Sequence, residues 1–183
     1  VFRVHILNQN LLVTGGIAVG KTFFLNESLM DLLTKSENTL LLTPNINEFK
    51  TPVTTFNGRT ISSTKINDDI DGSLFQIVEI NPFTQSLDEV KHSFMEFVSS
   101  FETIIQSGIK TVMIDEGMQL LNEVPFPSFI KFVERLNEKG IRIIFTSQLE
   151  LHRLPVNQFM QIDKLFPCVL KLNHQYKPLA TAS

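Results

Sequence analysis

Apolar and polar positions along this chain alternate in blocks whose period predicts the elements in turn. Asn8–Thr14 (NQNLLVT) is a short apolar run entering a glycine loop, and it predicts a strand. Residues 21–36 place Phe24, Leu25, Leu29, Leu32 and Leu33 near helical spacing. Asn38–Thr43 (NTLLLT) is a continuous apolar run closed by Pro44, as expected of a buried strand. Val53–Ile66 carries Asn57-Gly58 between two Thr/Ile/Val-rich runs, a pattern that predicts a β-hairpin because Asn-Gly accepts the positive φ of a two-residue turn. A polar loop, NDDIDGS, separates it from a strand at residues 74–80.

The second half repeats the alternation. Ser86-Leu87-Asp88-Glu89 has the form of a capping box, so a long helix is expected over Leu87–Gln106, stopped by Gly108. IKTVMID is a buried strand. Pro127 suits the first turn of a helix over residues 128–139, which Gly140 ends. IRIIFTS and CVLKL supply the last two strands. Strands alternating with helices predict an α/β fold, a mostly parallel sheet flanked by helices with an inserted β-hairpin, in a single domain over residues 1–183.

Composition narrows the class without naming it. With 43% hydrophobic and 19% charged residues, the chain has the make-up of an ordinary globular domain. A net charge of −3 disfavours a dedicated nucleic-acid coat, although nucleic acid is not excluded as a partner. No apolar run is long enough to span a bilayer and no signal peptide is evident, so a cytoplasmic location without membrane contact is expected. The lone Cys168 excludes an intramolecular disulfide and a multi-cysteine zinc site within this sequence, and it reads as a small buried hydrophobe. Phe is abundant, with 16 copies against no Trp, which reads as a bias of the core. Phe23, Phe24 and Phe129 to Phe132 are expected in that core. Phe56 and Phe126 are the aromatics to watch near a base. His5, His92, His152 and His174 have no metal-ligand spacing.

The candidate chemistry lies in two stretches. Gly15-Gly16-Ile17-Ala18-Val19-Gly20-Lys21-Thr22 fits the phosphate-loop pattern G-x-x-x-x-G-K-[ST] in full, after a strand and before a helix. Glycines there let backbone N–H groups turn towards phosphate, and the helix adds the positive end of its dipole. Lys21 would reach the β- and γ-phosphates of ATP, and the Thr22 hydroxyl would ligate Mg²⁺. Asp115 and Glu116 close an apolar strand; Asp115 would hold the metal and Glu116 would accept a proton.

Several stretches resemble the thymidine kinases of the cellular and poxvirus type. LLLTPNINEF, Thr55-Phe56-Asn57-Gly58, IDEGMQL, the run ERLNEKGIRIIFTSQLELHRLPV and FPCVLKL follow the order of that family's motifs over roughly Val13 to Leu172. The resemblance implies transfer of the ATP γ-phosphoryl group to the 5′-hydroxyl of a deoxynucleoside, in support of DNA synthesis. In that scheme Glu116 is the base, Lys21 and Thr22 hold phosphate, Asp115 holds Mg²⁺ and Arg153 steadies the transferring charge. It also implies a nucleoside substrate and a homo-oligomer or a place in a larger assembly.

The sequence departs from that family at several positions. Asn47 and Phe49 stand where the family has a charged pair, Phe56 replaces the hairpin His, Met118 displaces a Gln to Gln119, and Leu151 replaces an aromatic. The cysteine-rich zinc module and its base-reading loop have no counterpart. Two other readings therefore stand beside the kinase. One is a motor or packaging ATPase, with Glu116 activating water and Gln148, after Thr146-Ser147, sensing the γ-phosphate. The other is a catalytically lapsed nucleotide-binding subunit.

Overall fold

A computed structural model describes residues 9–82, 84–117, 125–148 and 154–172. Its strands are β1 (Leu11–Thr14), β2 (Thr39–Thr43), β3 (Arg59–Ile61), β4 (Phe75–Glu79), β5 (Thr111–Ile114), β6 (Arg142–Ser147) and β7 (Cys168–Lys171). They form one sheet in the order β3-β4-β2-β5-β6-β1-β7, with every neighbouring pair parallel. The helices are α1 (Lys21–Thr34), α2 (Lys50–Thr55), α3 (Ile66–Asp69), α4 (Leu87–Ser99), α5 (Phe101–Gln106), α6 (Phe126–Glu138) and α7 (Val156–Leu165).

A parallel sheet must bury both faces, and period-two alternation divides the apolar strand residues between two layers. Leu11, Val13, Leu41, Met113 and Ile144 pack with Leu25, Leu29, Leu32 and Leu33 of α1. Leu12, Leu40, Leu42, Val112, Ile114, Ile143 and Phe145 face the opposite layer, with α4, α6 and α7. That second layer explains the excess of Phe. Phe94, Phe97, Phe132, Phe129, Phe145 and Phe166 form a chain of ring contacts with centroids 5.4–6.5 Å apart.

The capping box at α4 is present, with Ser86 Oγ accepting from the Glu89 N–H and Glu89 accepting from the Ser86 N–H. The single helix expected over Leu87–Gln106 is broken at Ser100. Its hydroxyl donates to the Phe97 carbonyl at 2.7 Å and competes with the helical ladder there.

The predicted hairpin is not formed. Val53–Thr55 belongs to α2, and Arg59–Ile61 pairs with β4 in parallel rather than folding back on its own approach. Pro52 sits in the first turn of α2, where a missing N–H is harmless. Asn57 does take a positive φ of 51°, but as the left-handed residue that closes a helix. The Gly58 N–H then reaches the Val53 carbonyl at 2.8 Å. Helix caps and hairpin turns want the same residue pair, so the dipeptide alone does not distinguish them.

Candidate functional site

The site is built at the carboxyl ends of the central strands, where the backbone leaves the sheet and side chains converge. β1 ends at Thr14 and runs into the glycine loop. A Cβ on Gly15 would come within 2.6 Å of Val19 Cγ2 and 2.8 Å of the Leu172 carbonyl, so only glycine fits between loop and β7. Ala18 and Gly20 take positive φ (60° and 92°), which curls the loop over the start of α1. The first bond of α1 is Phe24 N–H to the Gly20 carbonyl. This leaves the N–H groups of Lys21, Thr22 and Phe23 without a partner within the helix, at its positive end.

Lys21 is 5% exposed. Its ammonium donates to the Gly15 and Gly16 carbonyls at 3.0 and 2.8 Å and lies 3.4 Å from Glu116 Oε1. The loop lysine and the acidic stretch, nearly a hundred residues apart in sequence, thus meet in one cluster.

Asp115 follows β5 directly and is 2% exposed. Thr146 Oγ1 donates to its Oδ1 at 2.8 Å, and Thr43 Oγ1 lies 3.4 Å from its Oδ2. Burial nonetheless dominates and pushes the Asp115 carboxyl up to about 6, helped by the negative charges of Glu116 and Glu48. Glu116 has a positive φ of 52°, unusual for a residue with a side chain. Its N–H is held by Thr146 Oγ1 at 2.9 Å, and its Oε2 is buried with no hydrogen-bond donor among the described residues. One hydroxyl, that of Thr146, therefore orients both acids. It can do so because β6 lies between the loop strand β1 and the acidic strand β5.

Thr22, Pro44, Asn45, Glu48, Asn81, Asp115, Glu116 and Gln148 line a cavity of about 320 Å³. Of the predicted residues, Lys21, Thr22, Asp115 and Glu116 come together, and Gln148 joins them from the end of β6. Gly15 to Gly20 form the loop beside them. Arg153 lies outside the described residues, as do Met118, Gln119, Leu151 and His152.

The cavity also contains a residue that the sequence reading passed over, Glu48. It sits on a 3-10 turn (Ile46–Phe49) after β2. Asn45 caps this turn by accepting from the Asn47 N–H, and its amide donates to Glu48 Oε1 at 3.2 Å. Asn26 of α1 clamps the Glu48 carbonyl at 3.0 Å, while Glu79 holds the Ile46 N–H at 3.1 Å. Asn45 with Glu48 three places on was the available signal, since that spacing caps a turn.

Other expectations fall differently. Phe24, Phe129 and Phe132 are core residues as expected, but Phe23 is 41% exposed. Phe56 and Phe126 pack against opposite layers of the sheet and cannot frame one base together. Cys168 is half-buried. No helix among the described residues is long and apolar enough to cross a membrane.

The donor set suits a hard cation. Thr22 and Asp115 offer oxygen, and the orphaned Glu116 Oε2 shows that the cavity holds an acceptor awaiting a partner. Among the described residues no group of three His, Cys, Asp or Glu side chains could bind a metal unaided. A magnesium ion here would share its coordination with phosphate oxygens.

This sheet order, glycine loop and acidic strand end define the class as the α/β phosphate-loop NTPase fold. Solved structures that share it include the following two. VirB4 of Thermoanaerobacter pseudethanolicus superposes with a TM-score of 0.67 at 10% identity, over 89% of this chain and 76% of that one. The flagellar accessory protein FlaH from Methanocaldococcus jannaschii gives 0.59 at 12% identity, over 90% and 70%. At these identities the likeness defines the fold. No protein-family model and no curated protein matches the chain.

Proposed function

We propose that this chain is a magnesium-dependent ATPase of the motor type, working as a subunit of an oligomer or a larger assembly. The observation that carries this reading is Glu116. Its Oε2 is buried without a donor among the described residues, in the cavity that also holds Thr22, Asp115 and Gln148. A carboxylate with a vacant lone pair beside the phosphate end is placed to take a proton from water.

In this scheme the loop N–H groups and Lys21 bind the β- and γ-phosphates. Thr22 and Asp115 hold the cation. Thr146 fixes Asp115 and Glu116, Glu116 accepts the proton of the attacking water, and Gln148 orients that water. The cation, when bound, supplies neutralisation of charge on the phosphate oxygens. The ion pair between Glu116 and Lys21 must loosen as phosphate takes up the ammonium, which releases the carboxylate for its role as base.

Two observations favour a hydrolase over the nucleoside kinase. The segment that resembled the kinase hairpin is a helix end followed by a parallel strand. The cavity, at about 320 Å³, is near the small end of the usual range of about 300–1,000 Å³. It suits a phosphate tail, a hydrated cation and a water better than an additional nucleoside. VirB4 and a flagellar accessory protein as fold neighbours fit a role in a machine.

The test is phosphate release from ATP and Mg²⁺, with thymidine added in a parallel reaction. Hydrolysis is expected without nucleoside monophosphate. Glu116→Gln should lower the rate by roughly 10²–10⁴-fold while still binding ATP, and Lys21→Ala should remove most ATP binding. Formation of thymidine monophosphate, or wild-type protein without ATP affinity in calorimetry, would overturn the assignment.

A further inference from the structure

Phe23 is an exposed aromatic in the first turn of α1, one residue after Thr22. The next residue, Phe24, is 6% exposed and packs in the layer with Leu25 and Leu29, so the helix had apolar room on its inner face and Phe23 does not use it. Phe23 keeps 41% of its surface in water beside the phosphate loop, so burial of its side chain contributes less to folding than that of Phe24.

Its position along the ligand follows from helix geometry. The Phe23 N–H precedes the first α1 bond, which starts at Phe24, so it points out of the positive end of the helix towards the loop. Thr22 lines the acidic cavity that receives the γ end, whereas Phe23 is not among the residues lining it. Successive helical side chains diverge by about 100°, so Phe23 leaves α1 on a different side from Thr22, outside the cavity lined by Asp115, Glu116 and Glu48. A nucleoside triphosphate is extended, with its base at the opposite end from the γ-phosphate. An exposed ring at position 23, beside the loop and outside the cavity, is available to the other end of such a ligand.

We propose that Phe23 is the stacking surface for the nucleotide base and that it makes this site bind a nucleoside triphosphate in preference to bare polyphosphate. The inference rests on the ATPase reading above. Stacking on a side chain tolerates any base, so the ring is expected to favour purines by their larger face and not to choose adenine over guanine by hydrogen bonds.

The sequence contains no Trp, so Phe23→Trp gives a chain whose only indole sits at the proposed surface. Its emission should be quenched by ADP or ATP and unchanged by inorganic tripolyphosphate. In calorimetry, Phe23→Ala should weaken ATP by roughly 5–150-fold and leave tripolyphosphate within about twofold of wild type, the loss expected for one base–aromatic stack. Phe23→Leu, which keeps apolar bulk without a ring, should behave like Phe23→Ala and guards against a folding artefact. Equal ATP affinity in wild type and Phe23→Ala overturns the proposal. So does a change of oligomeric state in that variant with ATP affinity intact, which would make the ring a subunit contact. Wild-type protein that binds neither ATP nor tripolyphosphate overturns the nucleotide reading as well, and that separate loss distinguishes the two failures.

Discussion

Asp115→Asn should make the nucleotide-free protein more stable, because it removes a negative charge that burial disfavours. The Asp115 carboxyl is raised from 3.8 to about 6, chiefly by burial. A carboxyl with a raised folded pKa binds its proton more tightly in the native state, so native stability falls as pH rises through the interval between the two values. The gap corresponds to an order-of-magnitude penalty of about 3 kcal/mol, complete above pH 6 and absent well below pH 4. At pH 5 about half of it is already present. The asparagine side chain is nearly isosteric, can still accept from Thr146, and can donate to Thr43 through its amide, so the penalty is removed without a cavity.

Urea unfolding without nucleotide should then show the variant more stable by about 1.5 kcal/mol at pH 5 and about 3 kcal/mol at pH 8. In a chain of this size that is a rise in Tm of roughly 6–12 °C at pH 8. Mg²⁺ with ADP should close the gap from the other side. Ligand at about 100 times Kd adds about 2.7 kcal/mol to the wild type, and the variant, without the carboxylate proposed to hold Mg²⁺, should gain much less. A variant no more stable than wild type at pH 8, or one whose advantage is equal at pH 5 and pH 8, refutes the argument that burial of this charge is what the site maintains.

The remaining predictions concern the support of that pair. Thr146→Val removes the hydroxyl that donates to Asp115 and accepts from the Glu116 N–H. Urea unfolding should report a loss of about 1–3 kcal/mol for the stranded N–H, and ATP hydrolysis should fall further than ATP binding. Thr146→Ser should restore both, since its hydroxyl can occupy the same position; a Val variant with full hydrolysis would remove Thr146 from the positioning role. Gly58→Ala would bring a methyl within 2.6 Å of the Phe75 ring and 3.2 Å of the Val53 Cα. A destabilisation of about 1–3 kcal/mol is expected, and unchanged unfolding would show that the α2–β3 turn can yield.

Much of the site could be read before the fold was known. The glycine spacing, Lys21 and Thr22 are contiguous, and their chemistry depends on backbone geometry that the residue types enforce locally. Asp115-Glu116 was recognisable because an apolar strand that ends in acids is a local pattern too. The strands themselves were legible for the same reason: parallel strands buried on both faces read as continuous apolar runs, as in Leu40-Leu41-Leu42 and Val112-Met113-Ile114.

What the local pattern could not decide was anything settled by a distant partner. Asn57-Gly58 specifies a positive φ and nothing more. Whether it closes a hairpin or caps α2 depended on a helix beginning at Lys50, with Pro52 in its first turn, and on β4 offering its edge to Arg59–Ile61. That one choice carried weight, since the kinase resemblance drew on the hairpin. Thr146 and Glu48 belong to the site only because the sheet sets β6 between β1 and β5 and brings the end of β2 alongside, pairings between residues 30 to over 100 positions apart. The exposure of Phe23 is likewise a tertiary fact, because helical spacing gives its angle about α1 but not which faces of that helix the sheet will cover. The sequence by itself determined that a glycine loop with Lys21 and Thr22 would open a helix and that an apolar strand would end in acids. The packing of one strand between two others decided which hydroxyl aims those acids, how deeply their charge is buried, and which aromatic is left facing solvent at the rim.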